Sequence, residues 1–415
     1  MLANDAPFVI RNLRLPDGRA GLSVRVEGGC IAALETEVDT DGAEVLDAQG
    51  ALMVPGFTDA HVHLDKALIL GRCPICEGTL SEAVRLTAAA KAGFTAEDVH
   101  ARGAEVLEMA VRAGTLRMRS FAEVDPRVGL RAFEGVLQLA RDFADLIEVQ
   151  VCVFAQEGLT QEPETLALLA EALAAGADLV GGCPYTDTDP PAHVRAIFDL
   201  AEQFDVDVDF HADFDLDPEG TILPVILAET EARGWQGRVT VGHATKFASF
   251  PEAQRQELAR AMARAGVGLV VLPATDSFLN AAGQGPMRPR GMAPAAEIAG
   301  LGATVALATN NVENPFTPFG DAALLRMAQY YAHLDQLGSE TALAGVWRMI
   351  SSAAQEITGL AAPGIAVGQS AEFVLLAART EAEAIRRNAP VTGVVRGGRV
   401  RLWRPEPVLM RDPRA

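Results

Sequence analysis

The spacing of apolar positions changes character twice along the chain, dividing it into three stretches. Residues 8–15 are largely apolar and run into Pro16-Asp17-Gly18, a turn signal. Residues 22–26 alternate apolar and polar, Gly28-Gly29 turns again, and residues 30–34 return to an apolar run. This is the pattern of a β meander. From residue 56 onward, short apolar runs (146–154, 206–211, 239–243, 267–272) alternate with Ala/Leu/Arg/Glu-rich helical stretches (163–175, 192–204, 251–265). Strand–helix alternation over about 300 residues predicts a parallel sheet, and at that length an α/β fold of the (β/α)8, TIM-like barrel type. A doubly wound sheet is the alternative. It would usually carry a Gly-rich phosphate turn after an early strand, and the chain has none. Beyond residue 362, strand and turn signals return at 364–368, 372–376 and 391–400. The two ends, residues 1–55 and 362–415, are expected to pair into a small β-sandwich beside a barrel spanning residues 56–361.

Composition narrows the partners. The 415 residues are 49% hydrophobic, enough for a sizeable core, and carry 55 acidic against 35 basic residues, a net charge of -20. Such a surface repels phosphate backbones and anionic lipid, so neither nucleic acid nor a membrane is expected as a partner. No apolar run reaches membrane-spanning length, and the N-terminus lacks the basic and apolar segments of a signal peptide, so a cytoplasmic protein is expected. Five scattered cysteines, an odd count, argue against a disulfide framework, and the lone Cys73-Pro-Ile-Cys76 pair is weak evidence for zinc.

The chemistry lies in what closes each apolar run. Side chains alternate along a strand, so His61 and His63 point the same way. Gln156 and Glu157 follow the run at 146–154, and His211 closes 206–211, with Asp213 two residues on. His243 closes 239–243, Asp276 follows 267–272, and Asn310-Asn311 follow an apolar run at 305–309. Four of seven histidines thus end predicted strands; His100, His193 and His333 fall in helical runs and read as surface or capping residues. A barrel gathers its strand ends onto one rim. His61, His63, His211 and His243 would converge there, and three or four imidazoles suit one divalent ion, Zn or Fe, with an open position for water. Two histidines merely hydrogen-bonded in a core are the alternative.

Longer motifs tie this set to a family. Pro55-Gly56-Phe57-Thr58-Asp59-Ala60-His61-Val62-His63-Leu64-Asp65-Lys66, Ala155-Gln156-Glu157-Gly158, the placing of His211 and His243, and Asn314-Pro315-Phe316-Thr317-Pro318-Phe319-Gly320 together resemble the cytosine-deaminase-like group of the amidohydrolase superfamily, over essentially the whole length. The resemblance implies a metal-dependent hydrolase of C–N bonds in a small nitrogen heterocycle or cyclic amide or amidine, with His61, His63 and His211 as metal ligands. It also implies that His243 sits by the metal water or the substrate, that Gln156 reads the heterocycle, and that Phe316 covers the pocket.

The chain departs from that pattern at three proton-handling positions. Asn310 stands where the family has a catalytic Asp after the last strand, Phe214 where deaminases carry a Glu, and Phe121 where a further His is expected. An amide is no general base at neutral pH. Asp213 is the expected replacement base, sharing the face of His211 if the strand continues. Asn310 and Phe214 are then expected to touch substrate, and Phe121, Phe214, Phe316 and Phe319 to form a dry aromatic wall. Lys66 is expected to pair with a rim carboxylate, and Arg288 or Arg290 to meet an anionic substrate unless structural. A barrel that binds a heterocyclic ligand without turning it over is the competing reading, and lyase or isomerase chemistry at the same metal a third. A homo-oligomer is compatible with the sequence, which marks no interface.

Overall fold

Which strand faces are covered accounts for the architecture. The computed structural model describes residues 6–404 and residue 407. Its first five strands are β1 (Phe8–Arg14), β2 (Ala20–Glu27), β3 (Cys30–Glu35), β4 (Glu44–Asp47) and β5 (Leu52–Val54). Eight more follow: β6 (Phe57–Val62), β7 (Thr115–Glu123), β8 (Glu148–Ala155), β9 (Leu179–Gly182), β10 (Asp207–Ala212), β11 (Val239–His243), β12 (Val267–Val271) and β13 (Val305–Leu307). The last three are β14 (Phe373–Leu376), β15 (Val391–Arg396) and β16 (Arg399–Trp403).

Strands β6 to β13 pair in chain order, all parallel, with helices between them, forming the (β/α)8 barrel. Parallel strands covered on both sides read as unbroken apolar runs, which is why β7 and β12 are buried at every position. The ring closes between β6 and the segment after β13. Asn310 N–H donates to the His61 carbonyl at 2.8 Å, and His63 N–H donates to the Asn310 carbonyl at 2.8 Å. Beneath them the Asp59 carboxylate accepts from Thr309 N–H at 3.2 Å and from its hydroxyl at 2.5 Å. Inside the barrel the buried Arg119 guanidinium ties four strands together, donating to Gln150, Asp209 and Thr240.

The chain ends form a second eight-stranded sheet, joined by one hydrogen-bonded path in the order β16-β15-β14-β5-β1-β2-β3, with β4 on β1. Its middle strands bury both faces. Leu52, Val54, Val374 and Leu376 pack into the barrel core, while the alternating Met53, Phe373 and Leu375 pack into a separate core with Ile10, Val24 and Val26. The expected strand at 364–368 is absent. Those residues turn, and the chain is tied on by Gly368 N–H to the Ile31 carbonyl and Ile31 N–H to that of Gln369. The run at 391–400 is two strands, because Gly397-Gly398 makes a turn between β15 and β16. The five cysteines are free.

Close packing behind β9 requires glycine. A Cβ on Gly181 would collide with the Asp209 carbonyl, and one on Gly182 with Nε2 of His193. His193, expected at the surface, is buried, its Nδ1 2.8 Å from Asp187. Helical periodicity alone did not reveal which side of its helix faces the sheet. Gly181→Ala is expected to cost about 2–4 kcal/mol by overpacking against rigid backbone. Gly300→Ala, in a helix with open space around it, should be neutral or mildly stabilising. Urea unfolding of the two variants beside the parent measures the contrast.

Candidate metal and substrate site

Three imidazoles meet at the C-terminal ends of the barrel strands. His61 is in β6, His63 follows that strand, and His211 is in β10. His211 Nε2 lies 3.1 Å from Nε2 of His61 and 3.1 Å from Nε2 of His63. Nitrogens on one tetrahedral zinc ion would stand about 3.3 Å apart, from the usual Zn–N length, so the spacing is that of a ligand set. All three are buried, and burial, reinforced by nearby positive charge, holds each well below its ordinary value of 6.5. They are neutral at physiological pH, as metal ligands must be. Packing fixes the rings: Phe121 lies against His61 with centroids 4.0 Å apart, and Phe154 stacks on His211 at 4.8 Å and 9°. Phe121 therefore replaces the expected further histidine with an apolar floor. Among the described residues, the Nδ1 atoms of His61, His63 and His211 have no hydrogen-bond partner. Nor has either polar atom of the buried Asn310 amide, which lines the same cavity. The donor set thus fits a divalent ion, with a neutral amide left over beside it.

His243 ends β11 in left-handed backbone (φ 69°), and its Nδ1 is 2.6 Å from Oδ1 of Asp276. Asp276 opens the helix Pro273–Leu279 after β12, and its other oxygen accepts from Leu272 N–H at 3.1 Å. Burial raises the Asp276 carboxyl, and the imidazole opposes that. With Nδ1 occupied, Nε2 is the free nitrogen of His243.

Asp213 does not take the place expected of it. β10 stops at Ala212, and Asp213 adopts left-handed φ of 52°, so the strand alternation that would align it with His211 ends there. Its oxygens accept from the Thr221 hydroxyl at 2.5 Å and Ile222 N–H at 3.0 Å, and it does not line the cavity. The carboxylate that reaches a rim histidine is Asp276. In the sequence it is marked only by its place after the apolar run 267–272; in the structure it lies one helical turn past β12.

The remaining cavity wall contains Gln156, Lys66, Phe214 and Phe316, together with Leu80 and Tyr185. Lys66 is buried, donates to Glu123 at 2.6 Å and to the Gln156 carbonyl oxygen at 3.3 Å, and stands 4.6 Å over the Phe316 ring. The Gln156 amide nitrogen is 3.4 Å from the Cys183 sulfur. Glu123 also accepts from Lys91 at 2.7 Å, and Lys91 pairs with Asp125 and, at 2.5 Å, with Glu157. Burial, then repulsion from Glu123, pushes the Glu157 carboxyl up to about 8. Burial also acts on Asp125, but Lys91 outweighs it and brings the carboxyl down to about 2. The open space over the histidines is about 10 Å³, room for about one water. Phe319, expected in the dry wall, is 63% exposed and faces elsewhere. Arg288 and Arg290 do not reach this cavity.

Comparison with known proteins agrees with this geometry. Residues 83–401 match the amidohydrolase family, and the chain belongs to it. It is 29% identical to N-isopropylammelide isopropyl amidohydrolase of Pseudomonas sp. (strain ADP) over 96% of this chain and 98% of that protein. It is 28% identical to the pterin deaminase of Rhizobium rhizogenes, over 96% and 94%. The crystal structure of 5-methylcytosine deaminase from Klebsiella pneumoniae liganded with 5-fluorocytosine superposes with a TM-score of 0.90 at 29% identity, covering 98% of this chain and 100% of that one. The chain is a hydrolytic enzyme of the cytosine-deaminase-like group, acting on non-peptide C–N bonds, and the binding-only reading is not favoured. Among the described residues, no helix is long and apolar enough to cross a membrane.

The lysine network generates a prediction. Lys91→Met leaves Asp125 and the partly buried Glu157 facing Glu123, which keeps Lys66, and should cost about 3–5 kcal/mol at pH 7. Burial and repulsion from Glu123 already raise the Glu157 carboxyl and then act unopposed by Lys91, so the variant's stability is kept at low pH and lost as pH rises. Urea titrations at several pH values would read both effects; an unchanged midpoint at neutral pH would contradict them.

Proposed function

We propose that His61, His63 and His211 hold one divalent ion, zinc or iron, and that the site hydrolyses a C–N bond of a small nitrogen heterocycle. The observation that carries this reading is the meeting of three neutral Nε2 atoms at ligand spacing. When bound, such an ion lowers the pKa of its water and polarises the carbon under attack. The chain's own groups supply the rest. His243, held at Nδ1 by Asp276, takes a proton at Nε2, and the buried carboxylate stabilises the resulting imidazolium. Proton handling then moves to β11, away from the position where Asn310 offers only a neutral amide. Gln156 has its carbonyl oxygen engaged by Lys66, so its amide N–H groups and the ammonium present donors to a ring carbonyl or an unprotonated ring nitrogen. Phe214 and Phe316 cover the ring and exclude water. With Phe214 in place of a carboxylate, a leaving group that departs without protonation from that side is favoured. The relatives' names point to ammelide, pterin and pyrimidine rings, and aminotriazines, pterins and aminopyrimidines form the first substrate panel.

Elemental analysis of the purified protein should find about one equivalent of zinc or iron, and His61→Ala and His211→Ala should lose it. Because the three imidazoles lie below 6.5, protons compete with the ion only at lower pH. The metal should therefore stay bound in a dialysis series that passes below pH 6.5. Asp276→Asn should cut kcat by about 10²–10⁴-fold with metal content unchanged. Asp213→Asn should instead lower stability by about 1–2 kcal/mol with kcat preserved. The opposite pattern in steady-state kinetics on a panel substrate would return the base to Asp213.

A further inference from the structure

A second cavity lies against the first. Its open volume is about 710 Å³, within the range that takes a whole ligand, whereas the space over the histidines holds no ring as it stands. Neighbouring residues of the chain line the two. Thr275 lines the histidine cavity and its neighbour Ala274 the larger one; Phe316 lines the first and Thr317 the second. The hydroxyls of Thr275 and Thr317 meet at 2.6 Å.

The larger chamber has an aromatic lining. Phe278 and Phe319 stand edge to face at 6.2 Å and 88°, and the Tyr330 hydroxyl is held by Ser277 at 2.9 Å. The outward exposure of Phe319 leaves apolar surface in water that an occupant would cover. At the edge, Arg288 donates only Nε, to the Gly285 carbonyl at 3.2 Å, so among the described residues its terminal nitrogens are unpartnered. That planar fork is the natural partner of a carboxylate.

We infer that this chamber is a second substrate subsite, which takes an aromatic arm ending in a carboxylate while the heterocycle lies over the histidines. The Thr275–Thr317 contact is where the two spaces join when the arm is in place. The arm's carboxylate pairs with Arg288 and its ring packs against the Phe278–Phe319 pair, on the exposed face of Phe319. The substrate class is thus a heterocycle whose leaving amine carries an anionic aryl substituent. This rests on the hydrolase reading for its link to catalysis, but binding in the chamber does not.

The test uses the full chain and 3-phenylpropionate as probe, by isothermal titration calorimetry. Saturable one-to-one binding is expected, weakened about tenfold or more by Arg288→Gln and by Phe319→Ala, and unchanged in His61→Ala. 3-Phenylpropanol should bind more weakly and ignore Arg288→Gln. Absence of saturation by about 10 mM, indifference to both chamber variants, or loss of binding in His61→Ala would overturn the assignment. For the catalytic link, an aminopyrimidine whose amine bears the phenylpropionate arm should show a KM about tenfold below its parent, with Phe319→Ala abolishing the difference. Equal KM values in the parent enzyme would overturn the subsite role. Turnover of neither compound would count against the hydrolase reading, leaving the calorimetry to judge the chamber.

Discussion

Two backbone hydrogen bonds, from Asn310 to His61 and from His63 back to Asn310, close the ring of strands. The same residues carry the site's side chains, so barrel closure and ligand placement are one event. Asp59 and Thr309 tie the ring again just below. An open sheet would leave His61 and His63 on one edge, seven strands from β13, and Asn310 far from both. Closure turns that sequence distance into contact, and the stacked Phe121 and Phe154 then hold the imidazoles in one arrangement.

Dryness and charge divide the rim between them. Under the three imidazoles the walls are aromatic, from Phe121 of β7 and Phe154 of β8, and burial keeps those imidazoles neutral. On the side of β7 and β8 the lysine–carboxylate network concentrates charge, and Lys66 carries its edge into the cavity. His243 and Asp276 form a third sector, where a buried carboxylate fixes which ring nitrogen is free. A carboxylate at the Asn310 position could both bind a cation and carry a proton; the neutral amide there is no general base.

Much of this was legible in the sequence, for identifiable reasons. Parallel strands buried on both faces read as apolar runs, so the residues that close them could be named, and His61, His63, His211, His243, Gln156, Asn310, Phe214 and Phe316 do surround one point. Asp213 stands away from the cavity because strand alternation ends at Ala212, at a left-handed turn that sequence does not announce. The contact of Asp276 with His243 is not legible in the sequence, because it depends on how the helix after β12 docks. The chamber beside the site was invisible, since its walls come from segments around 78, 274–288 and 317–333 that meet only in the fold.

Lys91 has one more consequence. Glu123, Asp125 and Glu157 stand close enough to hold an ion, yet the chain fills their centre with an ammonium of its own. A tethered cation cannot be chelated, exchanged or starved away. That side of the cavity is thereby held together by the chain itself, with no second ion needed at its centre.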